Sequence, residues 1–199
     1  MHPSELVEQR FPEHFVERHR QHGDDTVVVR REGLLEVLEF LRDELGFKMP
    51  VDVTCVDLLG LYERPEHVRA PLNPRIRETS AEPLGSVPRG EPRFEVVYHL
   101  RNIDVTPTKL VRVKVRVPED DAVVPSAVGL FKGFDWFERE VYDMFGVRFE
   151  GHPDLRRILL YEGFEGHPLR KDYPRRGYQP RVPMPRLEGD EVPTRGGDR

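Results

Sequence analysis

Apolar and polar positions alternate most strictly over residues 109–117, where Val111, Val113, Val115 and Val117 fall on one side of an extended chain and Arg112, Lys114 and Arg116 on the other. Successive side chains of a strand point to opposite faces, so this pattern predicts a sheet with one dry and one wet face. The period changes to that of a helix over residues 32–45: Leu34, Leu38, Leu41 and Leu45 recur at i, i+4, i+7 and i+11, and Gly46 supplies a stop. A second amphipathic helix carries Phe137, Val141, Met144 and Phe145 at i, i+4, i+7 and i+8, with Gly146 at the C-terminal cap position. Weaker patterns predict a helix over 4–22 with a break at Pro12, Ser4 being its N-cap and Leu6, Val7, Phe11 and Phe15 its burying residues. They also predict strands over 26–30, 51–59 and 93–100, and a short helix over 125–132. In the 51–59 strand Asp52, Thr54 and Val56 share one face, and Val53, Cys55 and Asp57 the other.

Helices and strands mixed without strict βαβ alternation point to an α+β fold: a two-layer domain with a mixed sheet and helices packed on one face. The expected organisation is a domain over 1–150 followed by an extended C-terminal arm, 151–199, that packs on a partner subunit. Residues 62–92 hold six prolines and no periodicity, which reads as an irregular loop, an insertion or a partner contact. Past Pro174 the apolar residues are only Tyr178, Val182, Met184, Leu187 and Val192, too few for a core of their own. Pro180, Pro183 and Pro185 favour an extended path, so residues from about 166 onward are expected to order along a partner.

At 199 residues, 34% charged and 37% hydrophobic, the chain has no apolar run near the length of a membrane span and no signal-peptide pattern at its start, so a soluble cytoplasmic protein is expected. Cys55 is the only cysteine, which excludes an internal disulfide and the several thiolates of an iron-sulfur cluster held by this chain alone. Cys55 itself reads as a small buried hydrophobe. The net charge is −5, yet residues 152–186 hold eight Lys and Arg against four Asp and Glu, a local excess of 8 − 4 = +4. A basic arm on an acidic body points to an acidic partner surface, with Arg170, Lys171, Arg175 and Arg176 meeting carboxylates across the interface. His14, His19 and His22 lack ligand spacing and read as solvated, and Trp136, the single tryptophan, as a packing anchor.

The densest stretch is 134–174. It contains Glu138-Arg139-Glu140 and Asp143 on the second amphipathic helix, then Phe-Glu-Gly-His-Pro twice, ending at Pro153 and Pro168. Arg139 and Asp143 are spaced to pair across one helical turn, whereas Glu138 and Glu140 lie roughly 200° apart and cannot share one small site. Each Gly-His-Pro predicts a sharp bend, and the first, at Gly151, forms with the helix end a junction that sets the departure of the arm.

The run Glu138, Arg139, Glu140, Asp143, Gly151, His152, Pro153 and Arg156, followed by Gly166, His167, Pro168, Leu169, Arg170, Lys171, Asp172, Tyr173 and Pro174, resembles the C subunit of bacterial NADH-quinone oxidoreductase. That family is the counterpart of the thirty-kilodalton subunit of respiratory complex I. Tyr161 and Phe164 depart from it, standing where the family tends to have proline and tryptophan. The resemblance implies the same α+β class and a non-catalytic, peripheral subunit on the cytoplasmic side of the bacterial membrane. It also implies that residues 166–174 bind a partner, especially the quinone-site subunit related to hydrogenase large subunits. FMN, iron-sulfur clusters and quinone would then belong to other subunits of a proton-pumping complex, with none held by this chain. Related membrane hydrogenases and other-donor dehydrogenases use similar subunits.

Two other classes compete. A free-standing enzyme would use Glu138, Glu140, His152 and His167, but no nucleophile or glycine-rich phosphate loop accompanies them. A nucleic-acid binder would use Arg170, Lys171, Arg175, Arg176 and Tyr178, but the whole chain is acidic and Asp172 and prolines interrupt the run.

Overall fold

The computed structural model describes residues 2–21, 23–59, 91–174 and 177. The proline-rich stretch expected as a loop falls outside them except at its last two residues, as does the tail beyond 177. The strictly alternating segment is β5 (Lys109–Val117) and lies at the centre of a five-stranded sheet. Its neighbours are β2 (Asp24–Val29), which is parallel to it, and β4 (Phe94–Asn102), antiparallel. β1 (Phe15–Gln21) and β3 (Met49–Asp57) complete the order β1-β2-β5-β4-β3.

One face of this mixed sheet is the core. Val27 and Val29 of β2 meet Val111, Val113, Val115 and Val117 of β5, Phe94, Val96, Tyr98 and Leu100 of β4, and Val53 and Cys55 of β3. Over them pack α1 (Pro3–Arg10), through Val7, and α2 (Leu34–Asp43), through Leu34, Val37, Leu38 and Leu41. The α+β class and the helices on one face are as the periodicities predict. The opposite face is only partly wet. Glu95 is buried there between Lys114 Nζ at 2.6 Å and Arg116 Nε at 2.8 Å, and Arg112 donates to His99 Nε2 at 2.9 Å. Thr26 and Val28, the cross-strand partners of Arg112 and Lys114, are buried although they point away from the core, and Arg112 Nη1 donates to Thr26 Oγ1 at 3.1 Å.

Two expected helices take other forms. Residues 11–21 do not continue α1: Pro12 cannot donate to a helical ladder and restricts Phe11, and the chain turns into the edge strand β1. Glu17, Arg18, His19 and Arg20 put charge on both faces of that strand, which suits an unpaired edge and erases the alternation that would have marked it. Residues 125–132 are likewise not a helix. Val123–Pro125 forms β6, paired in parallel with β7 (Arg148–Glu150), and the chain then makes one turn closed by Phe131 N–H to Ala127 C=O. Gly129 and Gly133 make a longer helix there costly.

Candidate functional site

The signature helix is α3 (Phe134–Phe145), ended by Gly146 in the left-handed region at φ +76°. Its buried stripe is Phe134, Glu138, Val141 and Phe145, so a carboxylate occupies an apolar position. Trp136 lies roughly 200° round from Phe134 and is 68% exposed, so it is no packing anchor.

Asp143 organises the stretch that follows. Its side chain is fully buried, and Oδ2 accepts the backbone N–H groups of Ile158, Leu159 and Leu160 at 3.0, 2.9 and 2.9 Å. Oδ1 accepts Arg157 Nη1 at 2.7 Å. Burial by itself raises this carboxyl, but the Leu160 amide, Arg157 and the other two amides outweigh it and hold the group below the ordinary aspartate value. The expected Arg139–Asp143 pair is absent; Arg139 instead donates to the carbonyls of Arg156 and Arg157. Proximity along one helix lost to three converging amides and a guanidinium that only the chain reversal brings in.

Downstream residues also satisfy the carbonyls that α3 leaves open at its C-terminus. His167 Nδ1 donates to Asp143 C=O at 2.9 Å, Leu169 N–H to Met144 C=O at 3.1 Å, and Arg170 Nε to Phe145 C=O at 2.6 Å. Arg157 and Arg170 thereby place positive charge at the negative end of the helix dipole. A methyl group added at Gly146 would lie 2.5 Å from Arg170 Nη2 and 2.6 Å from His167 Nε2, whereas at Gly151, φ +80°, it would meet nothing within 4 Å. Gly146→Ala is therefore expected to lose about 2–3 kcal/mol in urea unfolding, and Gly151→Ala only about 1, the left-handed penalty alone.

A second buried cluster ties residues 171 and 172 to the sheet. Arg93, 2% exposed, donates to Asp57 through Nε and Nη2, to Glu119 through Nη1, and pairs with Asp172 Oδ1 at 2.8 Å. Asp57 also accepts the Lys171 amide at 2.8 Å and the Leu59 amide at 2.9 Å. The Arg93 and Arg170 guanidinium groups each lie 5.1 Å from the Phe94 ring centre.

The candidate residues thus divide. Asp143, His167, Leu169, Arg170, Lys171 and Asp172 converge on the end of α3 and the Arg93 cluster. Glu138 faces the 126–127 turn, accepting Ser126 Oγ and Ala127 N–H at 2.7 Å each. Glu140 is exposed. His152 is buried at the other end of α3, accepting the Asp154 amide on Nδ1 and so donating from Nε2 to Asp135 C=O at 3.2 Å. Gly151 and Pro153 shape that bend, and Arg156 reaches Asp154 at 2.9 Å in solvent. Gly166 bends at φ +85° and its carbonyl accepts Arg157, Pro168 follows in a turn, and Tyr173 stacks on Phe164 before Pro174. Glu138, Glu140, His152 and His167 therefore form no acid/base set. Among the described residues no group of three His, Cys, Asp or Glu is placed to hold a metal, and no helix is long and apolar enough to cross a membrane. Cys55 is buried, and desolvation together with Asp57 pushes its thiol far up, away from reactivity.

A family profile described as the respiratory-chain NADH dehydrogenase 30 kDa subunit matches residues 27–179. An NADH-quinone oxidoreductase C subunit of Rhizobium etli is 43% identical over 161 residues, 79% of this chain and 64% of its own length. The corresponding C subunit of Citrifermentans bemidjiense is 40% identical over 86% of this chain and 87% of its own length. The chain thus spans just under two thirds of the Rhizobium relative and most of the Citrifermentans one. Among solved structures, a trypsin-resistant fragment of Nqo5 superposes with a TM-score of 0.54 at 29% identity, over 76% of this chain and 97% of the fragment. A chain of the membrane-bound sulfane sulfur reductase, an archaeal respiratory membrane complex, shares the fold at a TM-score of 0.61 and 21% identity, over 94% and 96% of the two chains. The motif that Asp143 organises and the match over residues 27–179 lead to one conclusion: this chain belongs to the respiratory-chain NADH dehydrogenase 30 kDa subunit family, that of the NADH-quinone oxidoreductase C subunits.

Proposed function

We propose that the protein is a non-catalytic subunit of the peripheral arm of a proton-pumping NADH:quinone oxidoreductase, on the cytoplasmic side of the membrane. It acts by binding and shaping the neighbouring quinone-site subunit. The complex passes electrons from NADH through FMN and iron-sulfur centres, carried by other subunits, to quinone. One observation supports this reading above the rest: Arg139, Asp143, His167 and Arg170 are spent on this chain's own backbone, while apolar side chains of the same stretch, Leu159, Tyr161 and Leu169, are left about half exposed or more. Such an arrangement makes a shaped surface and no reaction centre. The domain over 1–150 is its scaffold, and residues 151–199 the partner-facing arm, whose first part is fixed in shape by Asp143 and Arg93.

The reading is tested by purifying the tagged chain from its host under mild conditions. Redox subunits should accompany it, and the chain separated from them should retain no flavin or iron. Recovery of the chain alone, or stoichiometric flavin or iron held by it, would overturn the proposal. Leu169→Asp should leave the melting temperature of the isolated chain nearly unchanged, since an exposed substitution costs within about 0.5 kcal/mol, yet should greatly reduce the co-purified subunits.

A further inference from the structure

Glu138 is an acidic side chain in the buried stripe of α3 that no cation meets among the described residues. Its oxygens take one bond each, from Ser126 Oγ and the Ala127 amide. Asp143, on the same helix, has Arg157 and three amides. Around Glu138 the neighbours are neutral or acidic. Tyr98 of β4 faces it, with a buried hydroxyl that has no hydrogen-bond partner among the described residues. Cys55 of β3 lies beside Tyr98, and Asp135 is one turn away on α3.

The turn that Glu138 holds is itself a junction. Ser126 N–H donates to Glu150 C=O at 2.8 Å, so residues 126–127 are fixed to the end of β7 on one side and to α3 on the other. The chain leaves for Gly151, His152 and the Asp143 cluster directly after Glu150.

We propose that Glu138 is a protonation-operated latch, which closes the 126–128 turn onto α3 when it carries a proton and loosens that turn, with the β6–β7 pair and the departure of residue 151, when it ionises. A protonated Glu138 is neutral in its apolar surroundings and can donate to Ser126 Oγ, while an ionised one is an unpaired buried charge. Burial pushes the carboxyl up to about 7; the Ser126 and Ala127 bonds pull the other way, and Asp135 adds to the rise. The sign follows from linkage. A carboxyl whose value is raised in the closed form favours closure fully below its ordinary value of 4.5, and this advantage is lost as pH rises towards about 7. The opening equilibrium of the turn therefore increases about five- to sevenfold per pH unit, about fortyfold from pH 5 to 7, and levels off above.

The test uses the full chain labelled with carbon-13 at glutamate, with the Glu138 carboxyl assigned through its own side-chain bonds. Two quantities are followed from pH 5 to 8: the carboxyl shift of Glu138, and hydrogen exchange of the Ala127 and Val128 amides corrected for the intrinsic dependence on pH. Titration of Glu138 near neutrality, with protection falling about fortyfold between pH 5 and 7 and Glu138→Gln abolishing that fall, is the expected result. Titration below pH 5 overturns the proposal, as does titration near neutrality with unchanged protection at both amides, which would make Glu138 a buried acid without a latch. Should the Gln variant fail to fold, the wild-type titration and exchange still decide.

Discussion

Asp143→Ala is expected to unfold the 157–173 segment from the body and to destabilise the chain by about 3–5 kcal/mol in urea titration, the usual cost of removing one partner of a buried charged pair. The magnitude follows from what is left behind. Arg157 loses its carboxylate, and the amides of Ile158, Leu159 and Leu160 all lose their single acceptor. Each buried donor without an acceptor costs about 1–3 kcal/mol, but opening of the segment to water caps the sum. Asp143→Asn should fall between, because one oxygen remains while the added NH2 group opposes donors. A pH dependence accompanies this. The group is held below the ordinary aspartate value of 3.8, so its contribution is fully present above that value and is lost as pH falls through the lower, folded one. Acid unfolding of the wild type should be steeper below about pH 4 than that of Asp143→Ala. Equal urea midpoints for the two proteins would show that the amides find water without loss.

Arg93→Met should cost a similar amount, about 3–5 kcal/mol, for the opposite reason: the stranded charges are negative. Asp57 is fully buried, and Glu119 and Asp172, each about half exposed, lose the same guanidinium. Burial raises the Asp57 carboxyl, and the Arg93, Lys171 and Leu59 bonds bring it below its ordinary value, so the two amides alone must hold it once Arg93 is gone. A double variant, Arg93→Met with Asp57→Asn, should recover much of the loss, since a neutral pair needs no ion partner. Asp172→Asn should cost within about 1 kcal/mol, because its carboxylate reaches solvent. An Asp172 effect as large as that of Arg93 would place the stability in the 171–172 segment and not in the buried pair.

These two clusters show where the sequence was readable. The valine alternation of β5, the leucine periods of α2 and the glycine after α3 are local rules, and each reports a structure decided within a dozen residues. β1 was hidden because both its faces are charged, and β6 because three residues carry no period. The family motif marked Asp143 and His167, but helical spacing alone pointed to Arg139 as the partner of Asp143, because Arg157 and the 158–160 amides arrive only after the chain reverses at Gly151. The pairing of Arg93 with Asp57 was not legible, the two being separated by a proline-rich stretch, and Asp57 meets the Lys171 amide across more than a hundred positions. One local clue was present: Glu138 falls in register with Phe134, Val141 and Phe145, and a carboxylate in an apolar stripe must be either paired or protonated.

The basic segment behaves in a related way. Its excess charge pointed outward to an acidic partner, yet Arg157 and Arg170 cap α3 and Lys171 gives its amide to Asp57. A helix C-terminus with four open carbonyls is itself an electronegative surface, and here cations of the same chain meet it.

The central claim is that the family residues act by shape and not by chemistry. It is tested most directly by carrying Asp143→Asn into the host and measuring NADH-dependent quinone reduction together with the amount of assembled complex. Fewer assembled complexes, each with unchanged turnover, is the predicted result. A full complement of assembled complexes with lost turnover would contradict the account, because the carboxylate would then be taking part in the reaction.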